Sequence, residues 1–354
     1  MNGALPHPLL IYGANGYTAK LLLAELQRAG VPAVIAGRNE SEISQTAALL
    51  NLPSRVFSLD QPQAVDRALA GVKLVLNAAG PFSQTARPLI EACLRARVDY
   101  LDLSGELGSL GYAAECGEMA RRCGVMLLPA VGFDVVPSDC LALHLAEQLP
   151  DAESLELSIA ASNLLSRGSA ATFVEHAGSW VQVRRAGQLE PMRFRTQMRW
   201  VDFGSGERPT IAVSWGDLVT AYHSTGIRDI EVYFEATAFR WSAVTANQLC
   251  GPVLGGPASR ALLEAAVKLL PSGPRETARA RERSVIVGQV TKGRERRRAR
   301  LTTPEAYTFT AQVASRVIRA VLNGLRQPGF RTPAQLLGAD FVLGMPGVVR
   351  EELA

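Results

Sequence analysis

The residues with the clearest chemical meaning form the run Gly13-Ala14-Asn15-Gly16-Tyr17-Thr18-Ala19. It follows the apolar run Leu9-Leu10-Ile11-Tyr12 and precedes a helical pattern marked by Leu22, Leu23 and Leu26. A glycine-rich turn between a strand and a helix presents bare backbone amides and the positive end of the helix dipole, which together bind phosphate. Gly13 permits the tight turn, and Gly16 lets a pyrophosphate reach the backbone. The spacing is G-x-x-G-x-x-A, with Ala19 where a third glycine would allow the closest helix–strand packing. Arg38 closes the next strand-like segment, Ala33–Gly37. Dinucleotide sites that take an unphosphorylated ribose place Asp or Glu at this point. A guanidinium instead favours a ribose 2′-phosphate through charge-assisted, often bidentate bonds. These residues therefore predict binding of NADP(H) rather than NAD(H).

Four further segments fall where strand-like runs end, the edge at which open α/β sheets bind ligands. They are Asp60; Asn77-Ala78-Ala79-Gly80-Pro81-Phe82; Ser104-Gly105-Glu106; and Gly132-Phe133-Asp134, the last continuing to Asp139. The small residues of the second allow a ribose or nicotinamide close to the backbone. Glu106 and Asp134 read either as general acids and orienters or as structural, helix-capping carboxylates. Hydride transfer needs little covalent help from a protein, but a reductase still needs a side chain that polarises its substrate and supplies a proton. Tyr222, which reads alternatively as a strand aromatic packing a sheet, is the candidate for that role, with His223 and His176 behind it. Other chemistries lack their residues. No tyrosine is followed four positions on by lysine, and neither G-x-S-x-G nor H-E-x-x-H occurs. The five cysteines form no C-x-x-C pair, so neither a zinc site nor a disulfide framework is expected.

The elements that must position these residues alternate through the first third of the chain. Strands are expected near Leu9–Tyr12, Ala33–Ala36, Arg55–Leu59, Leu74–Asn77, Asp99–Leu103 and Val125–Leu128, with helices between them, including one from Pro88 and one opened by Ser41. Short apolar strands separated by helices predict a parallel sheet covered on both faces. Beyond it, Ser154–Ala160, Ile211–Trp215, Ile230–Ala236 and Ser284–Val290 predict a mixed or antiparallel sheet, with a helix over Arg167–Arg185 and Ala/Leu-rich helices within Ser242–Leu270. Tyr307–Gly324 reads as a late helix with Phe309, Val313, Val317 and Val321 on one face. The fold class is thus α/β, a Rossmann-type doubly wound parallel sheet joined to an α+β domain. The expected boundaries are 1–135 for nucleotide binding, 136–302 for substrate and 303–354 for a C-terminal helical segment returning to the first domain.

Composition narrows the partners. The 354 residues are 47% hydrophobic with a net charge of +4, which suits a globular protein and is too weak a bias to imply nucleic acid. The basic segment Arg275–Arg300 has no interleaved aromatics and reads as a solvated hairpin. No apolar run is long enough to span a bilayer, and Leu9–Tyr12 is too short for a signal peptide, so a cytoplasmic protein is expected, with a homodimer open.

Taken together, Gly13–Thr18, Ala36-Gly37-Arg38, Asn77–Phe82, Tyr100–Glu106 and Gly132–Asp139 resemble the saccharopine dehydrogenase-like family, and within it the trans-acting enoyl reductase branch. Trp215–Leu218, Ala221–Ile227, Tyr307–Ala311 and Thr332-Pro333-Ala334 extend the likeness. The resemblance implies a Rossmann domain, a substrate domain on a larger sheet and a nicotinamide cofactor. The enoyl reductase branch implies reduction of a carbon–carbon double bond on a polyketide or lipid-like chain, free or carrier-bound. The saccharopine branch implies imine or amino-acid chemistry. An apolar lining from Phe173, Trp180, Trp215 and Tyr222 would suit the former. Arginines such as Arg167, Arg184 and Arg193 would suit the latter. A non-enzymatic NADP-binding scaffold, with Val253–Leu270 as a surface helix, is the alternative of a different kind.

Overall fold

The computed structural model of the protein describes residues 8–161, 180–192, 198–237, 242, 256–269 and 273–354. The chain divides into two compact units. One comprises Met1–Val136 with Tyr307–Leu336, the other Pro137–Ala306 with Leu337–Ala354.

The first unit is built on seven parallel strands. In chain order these are β1 (Leu9–Tyr12), β2 (Ala33–Gly37), β3 (Ser54–Val56), β4 (Leu74–Asn77), β5 (Asp99–Asp102), β6 (Met126–Leu128) and, after the second unit, β15 (Gly329–Phe330). Their spatial order is β15-β6-β5-β4-β1-β2-β3, the doubly wound arrangement with one strand added beside β6. β1, β2, β4 and β5 are buried along their whole length, as strands covered on both faces must be. The connecting helices are α1 (Tyr17–Arg28), α2 (Glu40–Leu50), α3 (Pro62–Ala68), α4 (Phe82–Ala96), α5 (Leu107–Glu115) and α6 (Gly117–Cys123). One face packs Leu10, Val75, Tyr100 and Leu127 of the sheet against Leu89, Ile90 and Cys93 of α4.

Several boundaries differ from the sequence reading, each for a local reason. α2 is opened by Asn39, not Ser41: the Asn39 side chain accepts from the Glu42 amide (3.3 Å). α4 starts six residues before Pro88, which it holds in its interior, because a carboxylate from elsewhere receives its first two amides. The expected helix over Ala113–Cys123 is two short ones meeting at Cys116.

The second unit centres on a nine-stranded mixed sheet, with a path β10-β11-β12-β7-β13-β14-β16 and β8 and β9 to one side. Its strands are β7 (Ser154–Ala160), β8 (Gln182–Arg185), β9 (Gln188–Pro191), β10 (Met198–Asp202), β11 (Glu207–Ala212), β12 (Asp229–Glu235), β13 (Arg283–Lys292), β14 (Glu295–Pro304) and β16 (Val349–Leu353). Among the described residues, only β12 and β7 of this sheet pair in parallel. The basic segment is the β13–β14 hairpin, preceded by the short helix Glu276–Arg281.

The C-terminal segment does not return to the first domain as one piece. Helix Ala306–Leu322 buries Phe309, Val313, Val317 and Val321, and residues through Leu336 cluster with the first unit. Leu337–Ala354 cluster with the second, where β16 pairs with β14 and Arg300 binds Glu351 (2.7 Å). The strand Val349–Leu353 carries Arg350, Glu351 and Glu352 and lacks the apolar alternation that marks a strand in sequence. The expected helix over Arg167–Arg185 lies largely outside the described residues, and of Ser242–Leu270 the stretch 243–255 does. Within them, Gln182–Arg185 is strand and Pro257–Lys268 is helix.

Candidate functional site: the ligand edge of the parallel sheet

At the carboxyl end of β1 the chain turns sharply. The Gly13 and Ala14 amides both donate to the Ala36 carbonyl (2.8 and 3.2 Å), pinning the turn to β2. Gly13 adopts φ +83°, and a Cβ there would lie 2.6 Å from the Ala79 Cβ and 2.7 Å from its amide nitrogen. Glycine is thus required both by conformation and by contact with the strand-four loop. Gly16 caps α1 in extended conformation with no side-chain cap, and the first turn of α1 holds no acid. The helix N-terminus therefore keeps its affinity for an external anion. Asn15, between the glycines, donates to the Glu42 carboxylate, which also receives the Asn39 side chain (3.0 Å). Sequence reasoning missed this tie between the turn and α2, although Asn39-x-x-Glu42 has the spacing of a capping box.

Arg38 is exposed directly after β2. Its charge reaches the Tyr12 hydroxyl, whose pKa is raised by burial, pulled back by Arg38 and raised further by Asp60. Asp60 does not end a strand as expected: β3 stops at Val56, and Asp60 lies exposed in the turn before α3.

The loop after β4 is held from below. Buried Asn77 donates to Thr85 Oγ1 (3.0 Å) and the Tyr100 hydroxyl (3.2 Å), and its Oδ1 accepts from the Ala79 amide (3.1 Å). Thr85 donates to the Ala79 carbonyl (2.6 Å), and the Ala78 amide to the Tyr12 carbonyl (2.8 Å). Gly80 and Pro81 lead into Phe82, where α4 begins. The Phe82 and Ser83 amides donate to the two carboxylate oxygens of Glu106 (3.0 and 2.7 Å). Glu106 is thus a capping carboxylate at the start of α4, one of the two roles its sequence position allows.

Ser104, Gly105 and Glu106 form a compact step after β5. Ser104 Oγ accepts from the Glu106 amide (3.0 Å) and bonds Ser109 Oγ (2.6 Å). Beneath them, Asp102 receives the Ser104 and Ala130 amides (2.9 and 2.7 Å) and the Tyr100 hydroxyl (2.9 Å). Burial pushes its carboxyl up to about 6 despite those bonds. Gly105 faces Asp134: a Cβ on Gly105 would lie 3.0 Å from the Asp134 Cβ and 3.1 Å from its Oδ2. Burial first, and the Glu106 charge second, push the Asp134 carboxyl up to about 7.

The helix Ala306–Leu322 completes this edge. Thr310 Oγ1 accepts from the Phe133 amide (2.9 Å), and its Cγ2 would lie 3.1 Å from a Cβ on Gly132. Phe309 meets Phe133 edge-on (6.2 Å), and Tyr307 meets Tyr17 edge-on (5.3 Å) at the first residue of α1. Tyr307 and Thr310 were legible as helix residues, but their place beside the glycine turn and the strand-six loop depends on a chain return of more than a hundred residues.

The structure therefore brings Gly13, Ala14, Asn15, Gly16, Tyr17 and Thr18 together with Ala78 and Ala79, and Phe82 and Gly105 with Glu106 and Asp134. Tyr222 belongs to the second unit, on helix Asp217–Thr225 rather than a strand. The Arg184 guanidinium lies over its ring (4.2 Å), and His223 meets it edge-on (5.5 Å). Arg184 is buried, donates to the Leu218 and Gly187 carbonyls (both 2.5 Å), and lies on β8. Burial first, then the Arg184 charge, lower the His223 pKa. Arg167, Phe173, His176 and Arg193 lie outside the described residues, as does nearly all of the expected surface helix before Pro257. No cluster of metal-ligating side chains occurs among the described residues.

A parallel sheet in this order, with a bare helix N-terminus over a glycine that no side chain could replace, is a dinucleotide-binding Rossmann unit. Residues 9–123 match the saccharopine dehydrogenase NADP binding domain. The chain is similar to a trans-acting enoyl reductase of Mycobacterium leprae (30% identity over 157 residues, 42% of this chain and 38% of that protein). It is also similar to a mouse saccharopine dehydrogenase-like oxidoreductase (27% over 164 residues, 41% of this chain and 38% of that protein). Each alignment thus spans well under half of the relative. In fold, the chain resembles yeast saccharopine dehydrogenase (L-Glu forming) with a TM-score of 0.63 at 11% identity, covering 98% of this chain and 99% of that one. The residues of the ligand edge fit NADP. The N-terminal turn of α1 would hold its phosphates and Arg38 its 2′-phosphate. No helix among the described residues is long and apolar enough to cross a membrane.

Proposed function

We propose that the protein is an NADPH-dependent oxidoreductase that reduces a carbon–carbon double bond of a polyketide- or lipid-like, free or carrier-bound substrate. The observation that carries the cofactor choice is Arg38, exposed after β2 with no carboxylate at that strand end, beside a helix N-terminus free of acids. The substrate class is supported by the relatives named as trans-acting enoyl reductases. The bound cofactor supplies hydride. The chain's own residues hold the phosphates at the N-terminus of α1, seat the ribose and nicotinamide against the small residues Ala78–Gly80, and fix that loop through Asn77, Thr85 and Glu106. Tyr222, whose ring lies against the Arg184 guanidinium (4.2 Å), is the side chain of the second unit suited to engage a conjugated carbonyl.

The test is the loss of reduced-nicotinamide absorbance with a panel of enoyl thioesters and enones, set beside pairs of 2-oxo acids and amines. Consumption of NADPH with the unsaturated compounds is expected. Turnover confined to the imine-forming pairs would replace this reading with amino-acid chemistry. Tight NADPH binding without turnover on either panel would leave a scaffold.

A further inference from the structure

We propose that Asp134 holds a proton at the nicotinamide end of the site and gives it up when the cofactor ring becomes cationic, supplying the proton that completes reduction of the substrate. The inference rests on the reading of the first unit as an NADP(H) site. It begins with placement. In a doubly wound sheet the two halves of a dinucleotide lie to either side of the switch point, and the second half covers β4, β5 and β6. Asp134 lies in the loop after β6, and its carboxyl packs against Gly105 after β5, where any side chain on Gly105 would meet Asp134 Oδ2 at 3.1 Å. The absence of a Cβ at Gly105 lets the Asp134 carboxyl rest at the ends of β5 and β6.

The surrounding charges support a protonated carboxyl there. From the step after β5 the facing acid is Glu106, whose two oxygens take the Phe82 and Ser83 amides. Asp102, at the end of β5, is tied to the Ser104 and Ala130 amides. From the helix Ala306–Leu322, the residues that meet Gly132 and Phe133 are Thr310 and Phe309, which carry no charge. Burial and the Glu106 charge together hold the Asp134 carboxyl near 7, so it exchanges its proton around neutrality. Glu106 is committed as the cap at the start of α4.

The step balances. Hydride, a proton with two electrons, passes from the reduced dinucleotide to one alkene carbon, so the dinucleotide is oxidised and the substrate reduced to its enolate. The Asp134 O–H bond breaks, and a C–H bond forms at the neighbouring carbon. The carboxylate left behind faces a ring that has just gained positive charge, which stabilises both. Water returns the proton before the next turnover.

The consequence is measurable without substrate. The full chain is titrated calorimetrically with NADP+ and with NADPH, near pH 7, in two buffers of different ionisation enthalpy. The two ligands differ in ring charge and share their phosphates. Release of a fraction of a proton is expected with NADP+ and none with NADPH, so NADP+ affinity rises with pH, by up to about tenfold per unit, until Asp134 is ionised. Asp134→Asn should abolish the difference, and Glu106→Gln should retain it at slightly lower pH. Equal proton exchange with both ligands in the unaltered protein would overturn the proposal, as would release that persists in Asp134→Asn. Absence of heat with either ligand would refute the nucleotide site itself.

Discussion

Replacing Gly13 by alanine separates what the turn owes to backbone conformation from what it owes to contact, because Gly30 provides a matched control. Both are left-handed, Gly13 at φ +83° and Gly30 at φ +67°. An L-residue in this region costs roughly 1–2 kcal/mol. A Cβ at Gly30 meets nothing within 4 Å, so Gly30→Ala should cost about that and no more. At Gly13 the added methyl would lie 2.6–2.8 Å from the Cβ, N and Cα of Ala79, far inside van der Waals contact. Ala79 cannot easily retreat, since its amide is bonded to Asn77 and its carbonyl to Thr85. Overpacking of this kind adds about 1–3 kcal/mol, for a total of roughly 2–5 kcal/mol. Urea denaturation of the two variants measures the difference, and titration with NADPH reports the turn. Gly13→Ala should be the less stable by at least about 1 kcal/mol and should lose most of its affinity. Equal stabilities, or unchanged NADPH binding, would refute the close approach of the two loops as the reason for glycine.

Gly16 has φ −66° and would place a Cβ 3.2 Å from the Gly13 carbonyl, so Gly16→Val should leave the protein folded while blocking the phosphates; circular dichroism with NADPH titration checks both. Arg326 binds Asp99 through two nitrogens (2.8 and 2.9 Å) and the Gly124 carbonyl (2.6 Å), tying the approach to β15 onto β5 and β6. Because Arg326 is partly exposed, Arg326→Ala should cost about 1–2 kcal/mol in denaturant, chiefly by leaving buried Asp99 without its cation. Asp134 binds its proton more tightly folded than unfolded, so its contribution to stability is lost as pH rises from about 4 to about 7. Asp134→Asn should flatten that part of the stability–pH curve, and an unchanged slope would contradict the raised pKa.

The alternation of the first six strands was legible because five of them are short, fully buried runs between helices, the exposed Ser54–Val56 being the exception, and Gly13–Thr18 announced itself by composition. What sequence could not show arose from contacts distant along the chain. Glu106 fixes the start of α4 from the next crossover, so the helix begins at Phe82 although Pro88 looks like its first residue. The two-residue β15 is too short for any period, and β16 is too charged. Asp217–Thr225, with its mix of Thr, Tyr and His, carries little helical periodicity, so Tyr222 reads as a strand aromatic until its Arg184 neighbour is seen. Asp134 was visible as a carboxylate after a strand. Its raised pKa was not, because that depends on burial and on Glu106.

The central claim is that a 2′-phosphorylated dinucleotide is held by the N-terminus of α1 after the glycine turn and by the guanidinium of Arg38. Parallel titrations of the unaltered protein and Arg38→Ala with NADPH and NADH test it most directly. Charged hydrogen bonds contribute about 1.5–3 kcal/mol, so NADPH affinity should fall by roughly tenfold to a hundredfold while NADH affinity barely changes. Equal losses for both dinucleotides, or binding of neither by the unaltered chain, would contradict it.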